Sequence, residues 1–170
     1  MSFFAPQRPY PADRYDREEG ENRAWWRPSD AAHDIEYASG GSCDYLVTGT
    51  GAHGDYGLYR WNMGPGRSGP APHFHRALSE SFFVLEGAIA LYDGSTWRTG
   101  RPGDFCFVPE GGIHAFRNDS GEPASMLILF SPGAAREQYF EGLAHLATMD
   151  VRPSDEEMAE FYAAHDTFWL

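Results

Sequence analysis

The sequence contains no lysine, and all 13 of its basic side chains are arginines. Schiff-base chemistry and lysine general-base chemistry are thereby excluded. Basic residues are outnumbered by 25 acidic ones, and the formal net charge is −12. Nucleic acid and anionic membrane surfaces both repel such a surface, so neither is expected as a partner. Cysteine is equally scarce: Cys43 and Cys106 are too few for a disulfide framework. Cys106 lies in the apolar run Phe105-Cys106-Phe107-Val108 and reads as a buried structural thiol. No apolar run approaches the length of a membrane span. The opening stretch MSFFAPQRPYPADRYDREEG lacks the charged start and apolar core of a secretory signal, so a cytoplasmic location is the expectation.

What is present suits a folded unit. The chain has 170 residues, 42% hydrophobic and 15% aromatic, enough for one domain with a single core. Residues 1–30 are rich in Pro, Arg and acidic residues and carry Trp25 and Trp26 near their end. They read as an irregular arm, expected to pack on the main body or on a second subunit because exposed aromatics are costly.

Residues 31–132 hold many short strand signals separated by Gly, Pro and Asp turns. They run over 44–48, 57–63, 80–85, 88–92, 96–98, 105–108, 113–117 and 124–130. Such a series predicts an all-β sandwich or barrel. Residues 133–170 change character. Tyr139, Phe140, Leu143, Leu146 and Ala147 recur at helical spacing. Ser154 and Glu157 form a capping box that opens a second helix from Asp155 to about His165. Phe161 and Phe168 are the expected anchors of that helix. No internal repeat is visible.

The chemistry concentrates in two stretches. In the first, GPAPHFHRALSESFFVLEG, His73 and His75 stand two residues apart and Glu80 follows. Alternation along a strand points both imidazoles the same way. In the second, GDFCFVPEGGIHAFRN, His114 follows a Pro109-Glu110-Gly111 turn. Three imidazoles and one carboxylate make a shell for a divalent transition metal, with Fe, Mn, Ni, Co and Zn all compatible. Such a shell leaves about two positions open for water, oxygen or a bidentate substrate. His33, His53, His145 and His165 lie outside these stretches and read as surface or structural residues. Asn118 reads as a turn or strand-end residue.

These residues carry a family resemblance. The first stretch reads H-x-H-x4-E-x6-G, ending on Gly87, and the second reads G-x5-P-x-G-x2-H-x3-N, from Gly103 to Asn118. Both resemble the paired motifs of the cupins, over about residues 56–131. One position departs: the family usually places Gly six residues before the first His, and Arg67 stands there, with Gly66 and Gly69 on either side. The resemblance implies a double-stranded β-helix, or jelly-roll barrel, with metal at His73, His75, Glu80 and His114. Tyr59, Trp61, Phe82, Phe116, Met126 and Ile128 are the side chains expected to line a substrate pocket.

The chain is similar to single-domain quercetinase-like cupins in the His-x-His-x4-Glu spacing and in the tail SPGAAREQYFEGL. That similarity implies a metal-dependent dioxygenase acting on a small aromatic or enol-type molecule, with Glu80 serving as both ligand and base. An isomerase or polyketide-cyclase-like reaction would use the same shell with the metal as Lewis acid. A non-catalytic cupin that binds a small molecule is the alternative of a different class. No basic helix pair suggests a transcription factor. A homodimer is expected from the apolar outward positions Phe83 and Leu85 together with the Trp25-Trp26 arm.

Overall fold

The computed structural model describes residues 10–170; residues 1–9 of the predicted arm lie outside it. The chain divides between Asp30 and Ala31 into two compact units, and the second contains both the strands and the C-terminal helices. The described part of the first unit, residues 10–30, forms no helix or strand.

In the second unit ten strands precede the helices. They are β1 (Ile35–Glu36), β2 (Ser42–Val47), β3 (Gly57–Met63), β4 (His73–Phe74) and β5 (Ser79–Glu86), then β6 (Ile89–Tyr92), β7 (Trp97–Gly100), β8 (Phe105–Val108), β9 (Ala115–Arg117) and β10 (Ala124–Ser131). Helices α1 (Arg136–Leu146) and α2 (Asp155–Ala164) follow, and β11 (Phe168–Trp169) ends the series. A six-stranded sheet runs in the order β1-β2-β3-β10-β5-β8, and a three-stranded sheet in the order β7-β6-β9. This all-β arrangement is a jelly roll.

Side-chain alternation sets the core. In β5, Glu80, Phe82 and Val84 are buried while Phe83 is exposed. In register, Phe82 faces Ile128 of β10 on one side and Cys106 of β8 on the other. Tyr59, Met63, Met126 and Phe130 complete the same layer, and full burial of each large apolar side chain stabilises by about 1.5–3 kcal/mol. The reading of Cys106 as fully buried needs correction. It points inward but sits on an edge strand and is only half-buried, whereas Cys43 is the thiol that is sealed.

Helix α1 starts at Arg136, shortly after Pro132 and Gly133, and lays Tyr139 and Phe140 on the barrel. The Phe140 ring lies 5.2 Å from those of both Tyr59 and Trp61. Helix α2 opens on the predicted capping box: the Ser154 N–H donates to Glu157 Oε2 at 2.8 Å, and Ser154 Oγ accepts from the Glu157 N–H at 3.2 Å. Phe161 stacks on Tyr139 at 5.6 Å, which ties the two helices together. The chain then turns at Asp166, with φ of +52°, and β11 pairs antiparallel with β4. Strands of two residues carry no periodic signal in the sequence. Among the described residues no helix is long and apolar enough to cross a membrane.

Candidate metal centre

The ligand-bearing segments are held by backbone pairing. His73 and His114 exchange N–H···O bonds of 3.0 and 2.9 Å, and Ser68 and Asn118 do the same at 3.2 and 2.9 Å. This zips the loop before β4 onto the segment around β9. The loop lies so close that a Cβ on Gly69 would meet Phe116 O at 2.1 Å, and Gly69 has φ of +132°. Glycine is needed there, so Gly69 supplies the close approach despite Arg67 at the family's usual position. Strand β4 stops at Phe74, yet the alternation continues through it: His73 and His75 are buried and Phe74 is not. Glu80 projects from β5, and the Gly111 N–H donates to His75 O at 2.7 Å, which brings the second turn under the first. Asn118 is a staple: its Nδ2 donates to Gly64 O at 2.9 Å and Glu122 O at 2.7 Å.

The four side chains converge. His73, His75, Glu80 and His114 are all buried, and one donor atom from each lies within 4.8 Å of every other. Each imidazole gives Nδ1 to a backbone carbonyl: His73 to Ala71 at 2.9 Å, His75 to Asp166 at 2.5 Å and His114 to Gly112 at 2.9 Å. A carbonyl can only accept, so each Nδ1 carries the proton and each Nε2 is left for a ligand role. The Nε2 atoms of His75 and His114 lie 3.1 and 2.8 Å from Glu80 Oε2. Lone pairs facing one another at that range require a proton or a cation among them.

The electrostatics agree with a cation site. Burial opposes the charge on Glu80, but the ring nitrogens of His114 and His75 beside Oε2 outweigh it and hold the carboxyl well below its ordinary range. Burial lowers and the Glu80 contact raises the His114 imidazole, with a net upward shift. Burial, with His114 beside it, drops His73 to about 4, so it is neutral near pH 7. Donors about 2.0–2.2 Å from one ion lie at most roughly 4.4 Å apart, so closing this shell requires only small side-chain movement. The residues present therefore fit a divalent transition metal.

The cluster opens onto a cavity of about 350 Å³, with His73 and Glu80 in its wall. Of the predicted pocket residues, Trp61, Phe116 and Ile128 line it. Tyr59, Phe82 and Met126 do not: they are sealed in the core, and the Tyr59 hydroxyl donates to Glu137 Oε1 at 2.5 Å. The reason is depth, since an inward-facing side chain in a small barrel serves as filling unless it sits at the mouth. Of the histidines outside the motifs, His33 pairs with the buried Asp44 at 2.5 Å, and His165 rests on Phe161 at 4.9 Å.

The C-terminal segment contributes residues that the motifs did not reveal. Trp169 and Tyr162 line the cavity, and Trp169 lies 5.1 Å from His73. The Asp166 carboxylate accepts from the Arg76 and Ala77 N–H groups at 3.0 and 2.8 Å, next to its carbonyl bond with His75. Arg136 also lines the cavity and is 4% exposed. Its guanidinium carbon lies 4.8, 4.2 and 5.7 Å from the rings of Phe130, Tyr139 and Phe140. It takes part in none of the ion pairs among the described residues. A cation on an aromatic face gains about 0.5–2 kcal/mol, whereas taking an ion out of water costs several. Arg136 was legible as an anomaly: it occupies an apolar-face position in the series Arg136, Tyr139, Phe140, Leu143 of α1.

Protein purified without chelator is expected to hold about one divalent metal per chain by elemental analysis. His75→Ala should lower the occupancy at least tenfold, a loss in the range seen when metal-site residues are replaced. Metal-free wild-type protein, with His75→Ala indistinguishable from it, would contradict the assignment.

Comparison with known proteins accords with this geometry. The Cupin domain family matches residues 59–130. An uncharacterized protein of Aquifex aeolicus (strain VF5) is 35% identical over 66 residues, which are 39% of this chain and 54% of that protein; the match thus spans about half the length of that curated relative. Among solved structures, KdgF from Halomonas sp. superposes with a TM-score of 0.57 at 17% identity, covering 67% of this chain and 97% of that one. The polyketide cyclase RemF from Streptomyces resistomycificus gives 0.52 at 19% identity, covering 64% and 78%. A predicted oxalate decarboxylase from Thermotoga maritima gives 0.51 at 22%, covering 54% and 80%. At such identities the likeness is one of fold alone. The paired motifs, the jelly roll and the buried His/Glu cluster all agree with the Cupin domain match over residues 59–130.

Proposed function

We propose that the protein is a metal-dependent enzyme acting on a small aromatic or enol-type molecule, with dioxygenation as its reaction. One observation carries this reading: the His/Glu cluster opens onto an aromatic-walled cavity in which Glu80 is the one carboxylate among the described lining residues. Its carboxyl is held ionised, and Oε2 is already committed to the imidazoles. Oε1 is the oxygen left to accept a proton from a substrate hydroxyl within hydrogen-bond reach. Tyr139, also in the wall, is pushed up to about 12 by burial, which rules it out as a base near neutral pH. Trp61, Phe116 and Phe140 offer flat apolar faces to a planar ring or enol and keep water from it. The metal, when bound, would supply Lewis acidity toward a substrate oxygen and, if redox-active, support reaction with oxygen.

Oxygen uptake tests the reaction. Protein loaded with Fe(II), Mn(II), Co(II) or Ni(II) should consume oxygen with 3-hydroxyflavone or pentane-2,4-dione in at least one case, and Zn(II)-loaded protein should not. Conversion of either compound without oxygen uptake would replace dioxygenation by an isomerase or cyclase reaction. Binding without conversion would make the protein a small-molecule-binding cupin. Glu80→Gln, compared at full metal occupancy, should lose on the order of 100- to 10,000-fold in turnover if Glu80 is the base. Retained turnover would limit Glu80 to metal binding.

We also propose that the chain pairs with a second copy through the outer face of β10, β5 and β8. Phe83, Phe105 and Phe107 are 39%, 63% and 58% exposed. Phe83 lies in register with Phe105 and with Leu127, and Phe107 with Ser81, so the aromatic side chains share one face. Adjacent exposed rings of this kind mark an association surface. Light scattering should give twice 19.0 kDa, reverting to the single-chain mass in the Phe105→Ser/Phe107→Ser double variant. A single-chain mass for wild type at every concentration would contradict the pairing.

A further inference from the structure

Arg136 is a buried cation without a counter-ion. The described residues give its guanidinium one hydrogen bond, from Nη1 to His165 O at 2.6 Å, and Nε is buried with no partner at all. Three aromatic rings surround it, and they can soften its desolvation but not neutralise its charge. The nearby carboxylates are Glu80, in the wall of the same cavity, and Asp166, whose side chain is committed to the Arg76 and Ala77 N–H groups; a metal ion would claim Glu80. A divalent ion, Glu80 and Arg136 then leave the cavity with two net positive charges. Buried charge of that size needs an anion to balance it. An enolate or phenolate at the metal together with one further anionic group at Arg136 would do so.

We propose that Arg136 is the receptor for a carboxylate, or a group of like charge and shape, on the substrate. This narrows the substrate class to small aromatic or enol-type acids, and it rests on the reading of the His/Glu cluster as a metal centre that takes such molecules. The position suits the role. Arg136 is the first residue of α1, anchored to the C-terminal segment through His165, so the guanidinium is held in the cavity wall by the core on one side and α2 on the other. Its planar fork matches a carboxylate in a way that a lysine would not. A purely structural cation bridging two helices would be expected to find a carboxylate of the protein, and 25 acidic residues are available in the chain.

The experiment is calorimetric titration of Zn(II)-loaded protein, which takes oxygen chemistry out of the measurement. The probes are 3,4-dihydroxybenzoate and its neutral counterpart 3,4-dihydroxybenzamide, which share a metal-binding diol and differ in the charge of the distal group. The wild-type protein should prefer the acid by on the order of 10- to 100-fold, the worth of a charge-assisted bond. Arg136→Met should abolish the preference while still taking the amide, and Arg136→Lys should keep part of it. Equal wild-type affinity for the two probes overturns the inference without any variant having to fold, and leaves the metal reading standing. A preference that persists in Arg136→Met also overturns it. Failure of Zn(II)-loaded protein to bind either diol overturns the reading of the metal centre as one that takes such molecules, and the inference with it.

Discussion

Three hydrogen bonds from imidazole Nδ1 to backbone carbonyls fix the chemistry of this protein. Ala71, Gly112 and Asp166 supply the carbonyls, and the consequence is that all three Nε2 atoms are free to face Glu80. Without those bonds each ring could turn or change tautomer, and the donor set would lose its common focus. Two of the carbonyls are local, two residues from their histidines. The third comes from Asp166, 91 positions along the chain from His75, so the C-terminal segment is part of the ligand scaffold and not an appendage to the barrel. The same residue holds the Arg76 and Ala77 N–H groups through its side chain, and β11 beyond it pairs with β4. Loss of the last few residues would therefore be felt at His75 first.

Burial of charge is the second constraint, and it follows from the first. Glu80 is 3% exposed and Arg136 is 4% exposed, a costly pair of ions in one small barrel. Glu80 has two imidazole nitrogens in reach, placed to share a cation with it. Arg136 has only ring faces and a single carbonyl. Both ions thus stand in the wall of one cavity, and a cation among the imidazoles would settle Glu80 while leaving Arg136 unpaired. Such an asymmetry is costly for stability and is typical of sites that complete their electrostatics with a ligand. The aromatic walls sharpen it, because exclusion of water makes every remaining charge count for more.

How much of this was legible in the sequence depended on whether the information was local. The four clustered residues were legible because strand alternation and the turn before His114 are short-range features, and the structure brings those four together. The strand series and the capping box of α2 were legible for the same reason. The pocket was half-legible. Alternation told which side chains face inward but not how deep they lie, so Trp61, Phe116 and Ile128 reach the cavity while Tyr59, Phe82 and Met126 fill the core beneath it. The Asp166 carbonyl, Trp169 and the β4–β11 pairing depend on contacts some ninety residues apart along the chain. No periodicity could announce them.

The central claim is that Nε2 of His73, His75 and His114 and a carboxylate oxygen of Glu80 share one metal ion. X-ray absorption at the zinc edge of Zn(II)-loaded protein addresses it most directly. The account predicts a first shell of nitrogen and oxygen only, at about 2.0–2.2 Å, with the outer-shell signature of three imidazoles, one of which disappears in His114→Ala. A sulfur scatterer at about 2.3 Å, or an oxygen-only shell without imidazole, would place the metal elsewhere and contradict the account.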